Sequence, residues 1–383
     1  MSVTAAQGFT AAGVAAGLKS SGAPDVAVVV NQGPSKAAAA VFTSNRCKAN
    51  PVLWSEEAIK GGSAVAVAIN SGGANCYTGA EGFATTHRTA ETVAELLGVG
   101  AIDVQVCSTG LIGMLNDRDA LLSGVTSAVE GLGPDGGHAA ATAIMTTDSV
   151  SKQATAQRDG WTVGGMAKGA GMLAPALATM LVVITTDADV DAATLDGALR
   201  AATGRTFDRL DSDGCQSTND TVLLMASGAS GVTPSADELT EAVTTVCHDL
   251  ALQLLADAEG ADQEIAIEVV HAATEADALE VGRSVARSNL FKCAIFGKDP
   301  NWGRILASVG TTQAAFDPAD LDVALNDVWV CRNSGPGESP DAIDLEARAV
   351  SVTIDLKSGD ASGTIWTNDL TQAYVHENSA YST

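Results

Sequence analysis

The sequence predicts an α/β protein of mixed α+β layers, with helices packed on central sheets, and three observations carry that prediction. Short apolar runs of strand length alternate with longer stretches whose apolar residues recur every three or four positions. Apolar residues make up 46% of the chain and aromatics only 4%, a composition suited to closely packed layers rich in Ala and Gly. The length of 383 residues exceeds what one ordinary core accommodates, so two or more domains or layers are expected.

In chain order, "DVAVVV" (25–30), "AVAVAIN" (64–70) and "DVQVCSTG" (103–110) read as short strands that end in polar or glycine turns. Between the last two, "GFATTHRTAETVAELLG" (82–98) reads as an amphipathic helix stopped by Gly98. From Met180 to Ile184 every residue is apolar, as in a strand buried on both faces. The longest helical pattern covers 235–260, with Ser235 as N-cap and Glu238 at the capping-box position. Its apolar residues Leu239, Val243, Val246, Leu250 and Leu254 keep the helical period. "EIAIEVVHA", "LFKCAIFG", "DVALNDVWVCR", "VSVTIDL" and "GTIWTNDL" then make a strand-rich second half. No fixed-period repeat and no low-complexity linker interrupts this order.

Charge and motif spacing exclude several function classes. A formal charge of −25 disfavours nucleic acid and anionic membrane surfaces as partners, since both attract basic proteins. The longest uncharged apolar stretch, 173–184, is too short to span a bilayer. The N-terminal "MSVTAAQGFTAAGVAAGLKSSG" lacks a basic n-region, and the seven cysteines are scattered and odd in number. A cytoplasmic protein with reduced thiols is therefore expected. "DADVD" and "DSDG" lack the glycine and glutamate of a calcium loop, and the five histidines form no ligand pair, so no metal is expected. "GGMAKGAGM" matches no phosphate-binding pattern, no G-x-S-x-G elbow occurs, and "NDT" at Asn219 is a chance glycosylation match.

One threonine stands out. "KGAGMLAPALATMLVVITTDAD" (168–189) leads through Gly, Ala and Pro to Thr179 at the head of the most apolar run. A hydroxyl at that place is either a satisfied core threonine or a positioned nucleophile, and spacing alone leaves both open. No histidine has an obvious nucleophile to serve. A cut before Thr179 would supply a base, because the new α-amine titrates near pH 8 and can activate its own hydroxyl. The Gly- and Pro-containing approach could strain the Ala178–Thr179 peptide toward attack.

These residues carry a resemblance. "WTVGGMAKGAGMLAPALATMLVVITTDA" resembles the self-processing segment of the ornithine acetyltransferase family, the glutamate N-acetyltransferases of arginine biosynthesis. "NSGGANCYTG", "CSTGLIG", "AIMTTD", "DSDGCQSTNDTVLLMASG", "DPNWGRI" and "YVHENSAYST" resemble further segments of that family in the same order, over essentially the whole chain. The resemblance implies a self-cleaving, N-terminal-nucleophile-like acetyltransferase architecture. It implies a cut between Ala178 and Thr179 into an α chain (1–178) and a β chain (179–383), associated as a heterotetramer of two of each. Thr179 matches the nucleophile, and Thr109 and Gly110 the oxyanion-hole pair. Thr147, Lys168, Thr179, Glu259, Asn378 and Thr383 match substrate-binding positions.

The implied reaction moves an acetyl group from N2-acetylornithine to L-glutamate by a ping-pong route through an acetyl-threonine, with no cofactor. The family contains members that also take acetyl-CoA as donor and members that do not. Two departures stand out: "EGADQE" carries Asp262 and Gln263 where members have a lysine, and "WTNDLT" replaces Trp-Gly-Cys-Asp-Leu-Thr. Read without the family, Thr109 and Gly110 make an ordinary turn, Lys168 a solvated loop lysine, and Glu259 an exposed residue after a helix. Asn378 and Thr383 would then belong to a frayed end, which Tyr374, Val375 and Tyr381 have enough apolar surface to dock. A related self-processing amidase or aminopeptidase, and a non-enzymatic α/β binding protein, are the alternatives.

Overall fold

The computed structural model describes residues 2–172 and 180–380. Ala178, Thr179, Tyr381 and Thr383 lie outside the described residues. The first part of the chain runs β1 (Phe9–Val14), β2 (Val26–Asn31), β3 (Ala38–Phe42), α1 (Asn50–Ala58), β4 (Ala66–Asn70) and α2 (Gly79–Leu97). It continues with β5 (Val104–Ser108), α3 (Arg118–Glu130), α4 (Gly137–Ala143), β6 (Lys152–Arg158) and β7 (Trp161–Lys168). After the undescribed stretch come β8 (Leu181–Thr186), α5 (Ala192–Arg205), β9 (Thr221–Ala226) and α6 (Ala236–Ala256). The remainder is β10 (Glu264–Ala272), α7 (Glu275–Ala286), α8 (Asn289–Phe296), α9 (Trp302–Val309), β11 (Asp322–Leu325) and β12 (Val328–Arg332). It closes with β13 (Gly335–Pro336), β14 (Ala349–Asp355), β15 (Ala361–Asn368) and α10 (Gln372–Ala380).

Two compact units result. The first holds the described residues of 2–208 and 215–257. It contains a four-stranded sheet in the order β1-β2-β4-β5 and a five-stranded sheet in the order β3-β9-β8-β7-β6. The strand period decides which side chains meet. In β2, Ala27 and Val29 join one core with Leu181 and Val183 of β8, while Val26, Val28 and Val30 join another with Val93 of α2 and Val125 of α3. The two sheets thus share a core, and α2 and α3 cover the outer face of the smaller one. Helices α5 and α6 pack together and against β3, β6 and β7 of the larger. Every residue of β8 is buried, as the apolar run predicts, and each Val or Ile so placed contributes about 1.5–3 kcal/mol.

Helix ends follow the expected chemistry. Gly98 closes α2 in the left-handed region at φ 70°. Ser235 and Glu238 form the reciprocal capping box at the start of α6.

The second unit comprises residues 209–214 and 258–380. Its six-stranded sheet has the order β13-β12-β11-β14-β10-β15, with α7, α8 and α9 contributing to the same core. "DVALNDVWVCR" becomes the hairpin β11–β12, turned by Asn326 and Asp327, both at positive φ. "LFKCAIFG", expected among strands, is instead the helix α8. Its Phe291, Ala294 and Ile295 are buried at helical spacing, and the Ser288 hydroxyl accepts the Phe291 N–H at its start. A short apolar run fits either period, and here capping and packing decide for helix. Among the described residues no helix is long and apolar enough to cross a membrane.

Candidate active site

The end of β5 builds one corner of the site. Buried strand residues hold the chain up to Ser108, and the Thr109 N–H then donates to the Asn70 carbonyl at 2.9 Å. The Asn219 amide donates to the carbonyls of Ala74 (2.6 Å) and Ser108 (2.7 Å), tying the neighbouring loop to this strand end. Gly110 sits at φ 123°, and a Cβ there would lie 2.9 Å from the Gly73 nitrogen, so only glycine fits. No described residue accepts the Gly110 N–H. The Thr109 hydroxyl accepts from Lys168 Nζ at 3.1 Å and donates to no described residue. Among the described residues, two donors at successive positions therefore have no acceptor.

Lys168 ends β7 and is 1% exposed, so it is no solvated loop lysine. Its charge acts on Asp148, which belongs to a buried network. Asp148 accepts the Gly169 N–H at 2.7 Å, the Lys152 ammonium at 2.7 Å and the Thr146 N–H at 2.9 Å. Lys152 also reaches Asp257, just past α6, at 2.5 Å. Burial pushes the Asp148 carboxyl up, but the charges of Lys168 and Lys152 and the Gly169 N–H outweigh it and hold the group at about 2. Half-buried Thr147 lies in the turn that Asp148 closes by accepting from Thr146. The approach toward residue 179 begins under strain, with Met172 at φ 58°.

Past the undescribed stretch, Met180 is fully buried and donates its N–H to Asp220 Oδ1 at 3.0 Å. Its carbonyl accepts from Thr221 at 3.2 Å, where β8 and β9 begin their parallel ladder.

In the second unit, Glu259 follows α6 by three residues and is 9% exposed, so the expectation of an exposed residue does not hold. The loop that carries it turns at Gly260, where a Cβ would meet the Tyr374 nitrogen at 2.3 Å, and the Thr371 hydroxyl bonds the Gly260 carbonyl. Helix α10 is thereby seated on this loop through Tyr374, whereas Val375 is 58% exposed and does not dock. Asn378 is exposed and donates to the carbonyl of Tyr374 at 3.0 Å.

The two departures from the resembled family meet in this unit. Asn368 donates to the Gln263 carbonyl, and the buried Gln263 amide donates to the carbonyls of Leu345 and Ala347. Asp369 accepts the N–H groups of both Asp262 and Gln263. These residues hold a loop to the edge of the sheet.

The structure brings together Thr109, Gly110 and Lys168, with Thr147 beside them through Asp148, in the first unit. It places Glu259 and Asn378 in the second. Sequence reasoning missed Asp148, Lys152 and Asp220. Asp148 and Asp220 lie inside "AIMTTD" and "STNDT"; an acid directly before the apolar strand β9 was the available signal for Asp220, and Asp148, followed by the polar strand β6, had none of that kind.

Known proteins match the chain over its length. Residues 10–383 match the ArgJ family. The arginine biosynthesis bifunctional protein ArgJ of Streptomyces coelicolor is 64% identical, with 100% of each chain covered. That of Thermobifida fusca is 60% identical, also with 100% of each covered. The solved structure of ornithine acetyltransferase complexed with ornithine, from Mycobacterium tuberculosis, is 57% identical over 45% of this chain and 94% of its own, with a TM-score of 0.45. The chain belongs to the ArgJ family and is an enzyme of arginine biosynthesis.

Proposed function

With ArgJ membership as the premise, we propose that the enzyme moves the acetyl group of N2-acetylornithine to L-glutamate through an acetyl ester on Thr179. The chain is cut between Ala178 and Thr179, and the freed α-amine takes the proton of the Thr179 hydroxyl as that oxygen attacks the acetyl carbonyl. The Thr109 hydroxyl and the Gly110 N–H hold the oxyanion. Lys168, donating to the Thr109 oxygen, polarises that hydroxyl. Ornithine leaves with the proton returned by the ammonium, glutamate attacks the ester, and N-acetylglutamate departs. Thr147, Lys168, Glu259, Asn378 and Thr383 hold the substrates.

One observation carries this reading: the Thr109 hydroxyl and the Gly110 N–H have no acceptor among the described residues, and the buried Lys168 stands behind them. The ladder between β7 and β8, from Val163↔Thr186 to Lys168↔Leu181, supports association of residues 1–178 with 179–383 after the cut. Two copies of each piece make the assembled enzyme, which works in the cytoplasm, and acetyl-CoA serves as a second acetyl donor.

The decisive experiment is acetylornithine turnover with and without glutamate. Turnover is expected to require glutamate. Equal acetate release in both conditions would replace transfer by hydrolysis, as in an amidase. Glutamate acetylation supplied with acetyl-CoA alone tests the second donor.

A further inference from the structure

Two buried carboxamides bridge the same two segments beside Thr109 and Gly110. The Asn70 side chain accepts from the Ser108 hydroxyl at 2.5 Å and donates to the Gly73 carbonyl at 3.1 Å. The Asn219 side chain joins the same segments by donating to the carbonyls of Ser108 and Ala74. Asn70 is 3% exposed and Asn219 4%, so water hardly competes for these bonds. Loop 70–76 in turn grips the chain on either side of Gly110. Before it, the Thr109 N–H donates to the Asn70 carbonyl; after it, the Ala74 N–H donates to the Leu111 carbonyl at 3.0 Å. The Gly113 N–H adds a third bond, to the Cys76 carbonyl at 2.9 Å. Gly110 also lies against the loop backbone, since a Cβ there would meet Gly73 Cα at 3.0 Å and the Gly72 carbonyl carbon at 3.2 Å. The Thr109–Gly110 peptide, and with it the direction of the Gly110 N–H, therefore follows the loop, and the loop follows the two amides.

We propose that Asn70 and Asn219 are positioning residues for the oxyanion donors, a role that rests on the reading of Thr109 and Gly110 as that pair. Asn70 sets the loop where Gly73 abuts Gly110, and Asn219 sets it where Ala74 holds Leu111. Each task needs N–H donors aimed at a carbonyl, and Asn70 needs an acceptor as well, which a carboxamide carries in one plane. Neither side chain takes part in the proposed acetyl transfer itself. Their work is done before substrate arrives, so that charge developing on the acetyl oxygen meets donors that need not reorganise. This gives a use to the string "NSGGANCYTG" and to Asn219, which the sequence alone offers only as a chance glycosylation match.

The test measures acetylornithine turnover in Asn70→Ala and Asn219→Ala, with melting to check the fold and intact mass to express rates per cut chain. Each is expected to lower kcat and kcat/KM for acetylornithine by the same factor, roughly 10–10²-fold, because a misplaced donor is felt where charge develops. A role in stability alone would lower the melting temperature and leave the rate per folded, cut chain unchanged. Combining each with Thr109→Ala adds a second readout. Residues that act through one donor pair should slow the double variant by less than the product of the single effects. Ser108→Ala removes only the hydroxyl that Asn70 accepts from, and carries the same cycle should the asparagine variants not fold. Folded variants with wild-type kcat, or double variants slowed by the full product, overturn the proposal. Thr109→Ala separates the two failures. If it turns over normally, the oxyanion reading itself falls. If it is slow while the asparagine variants are normal, only the assignment of Asn70 and Asn219 falls.

Discussion

The cluster around Asp148 and the face around Asn378 are built on opposite plans. In the first, Lys152, Lys168 and Asp148 are nearly sealed from water; Lys152 pairs with Asp148 and Asp257, and the Lys168 charge acts on Asp148. In the second, Asn378 and Val375 stand on an exposed helix whose first turn alone is seated on the Glu259 loop. The difference teaches where precision is spent. Donors that must meet a developing charge need fixed positions, and a dry, paired surrounding fixes them. On the function proposed above, groups that hold ornithine and glutamate in turn gain from a looser setting.

The sharpest way to break the contrast is to unpair the sealed cluster. Lys152→Met leaves Asp257 without its ion pair and Asp148 with only the Lys168 charge opposite it, and is expected to cost about 3–5 kcal/mol in urea unfolding. The exposed pair Arg200–Asp196 serves as reference, where Arg200→Met should cost less than about 1 kcal/mol. Equal losses would show that burial of the cluster is not what sustains it.

Next in size is Thr109→Ala, which removes one of the two donors. Acetyl transfer should slow by roughly 10²–10³ with the melting temperature little changed. Normal turnover in a folded variant would remove Thr109 from the oxyanion role.

Acid titration comes third. The Asp148 carboxyl is held at about 2, below its ordinary 3.8, so its charged form favours the folded state. Its contribution is full above about pH 4 and is lost as pH falls from there toward 2, a change of roughly 2 kcal/mol. Asp148→Asn should flatten the melting profile in that window, and an unchanged profile would show that the carboxylate has no such role.

The smallest effect belongs to the exposed face. Asn378→Ala should raise KM for acetylornithine by less than about tenfold while kcat holds. A drop in kcat with KM unchanged would place Asn378 with the reacting atoms instead.

Where the sequence carried a local code, the structure follows it. The capping box at Ser235, the glycine stop at Gly98 and the apolar run of β8 are written in a few adjacent residues. Helix α8 was misread because "LFKCAIFG" is too short for its period to speak, and what decides it is a cap one residue upstream and a core assembled from α7, α9 and distant strands. The site divides in the same way. Thr109, Gly110 and Lys168 stand in recognisable strings, but the pairing of Lys168 with Thr109 spans 59 residues and that of Lys152 with Asp257 spans 105. No local pattern announces a partner so far away. Asp220 was hidden for the same reason, since its hydrogen bond is to Met180, 40 residues away.

The β7–β8 ladder has a thermodynamic consequence once the proposed cut is made. The uncut chain unfolds as one molecule into one molecule. The cut protein unfolds into two, so its melting point must rise with protein concentration, and dilution favours the separated fragments. The β strands of residues 179–383 then have to find their neighbours by encounter, with no tether to bring them back. Folding comes first and cleavage second, so the mature enzyme is reached once by a path it cannot retrace at high dilution, and its persistence becomes a matter of how slowly the ladder opens.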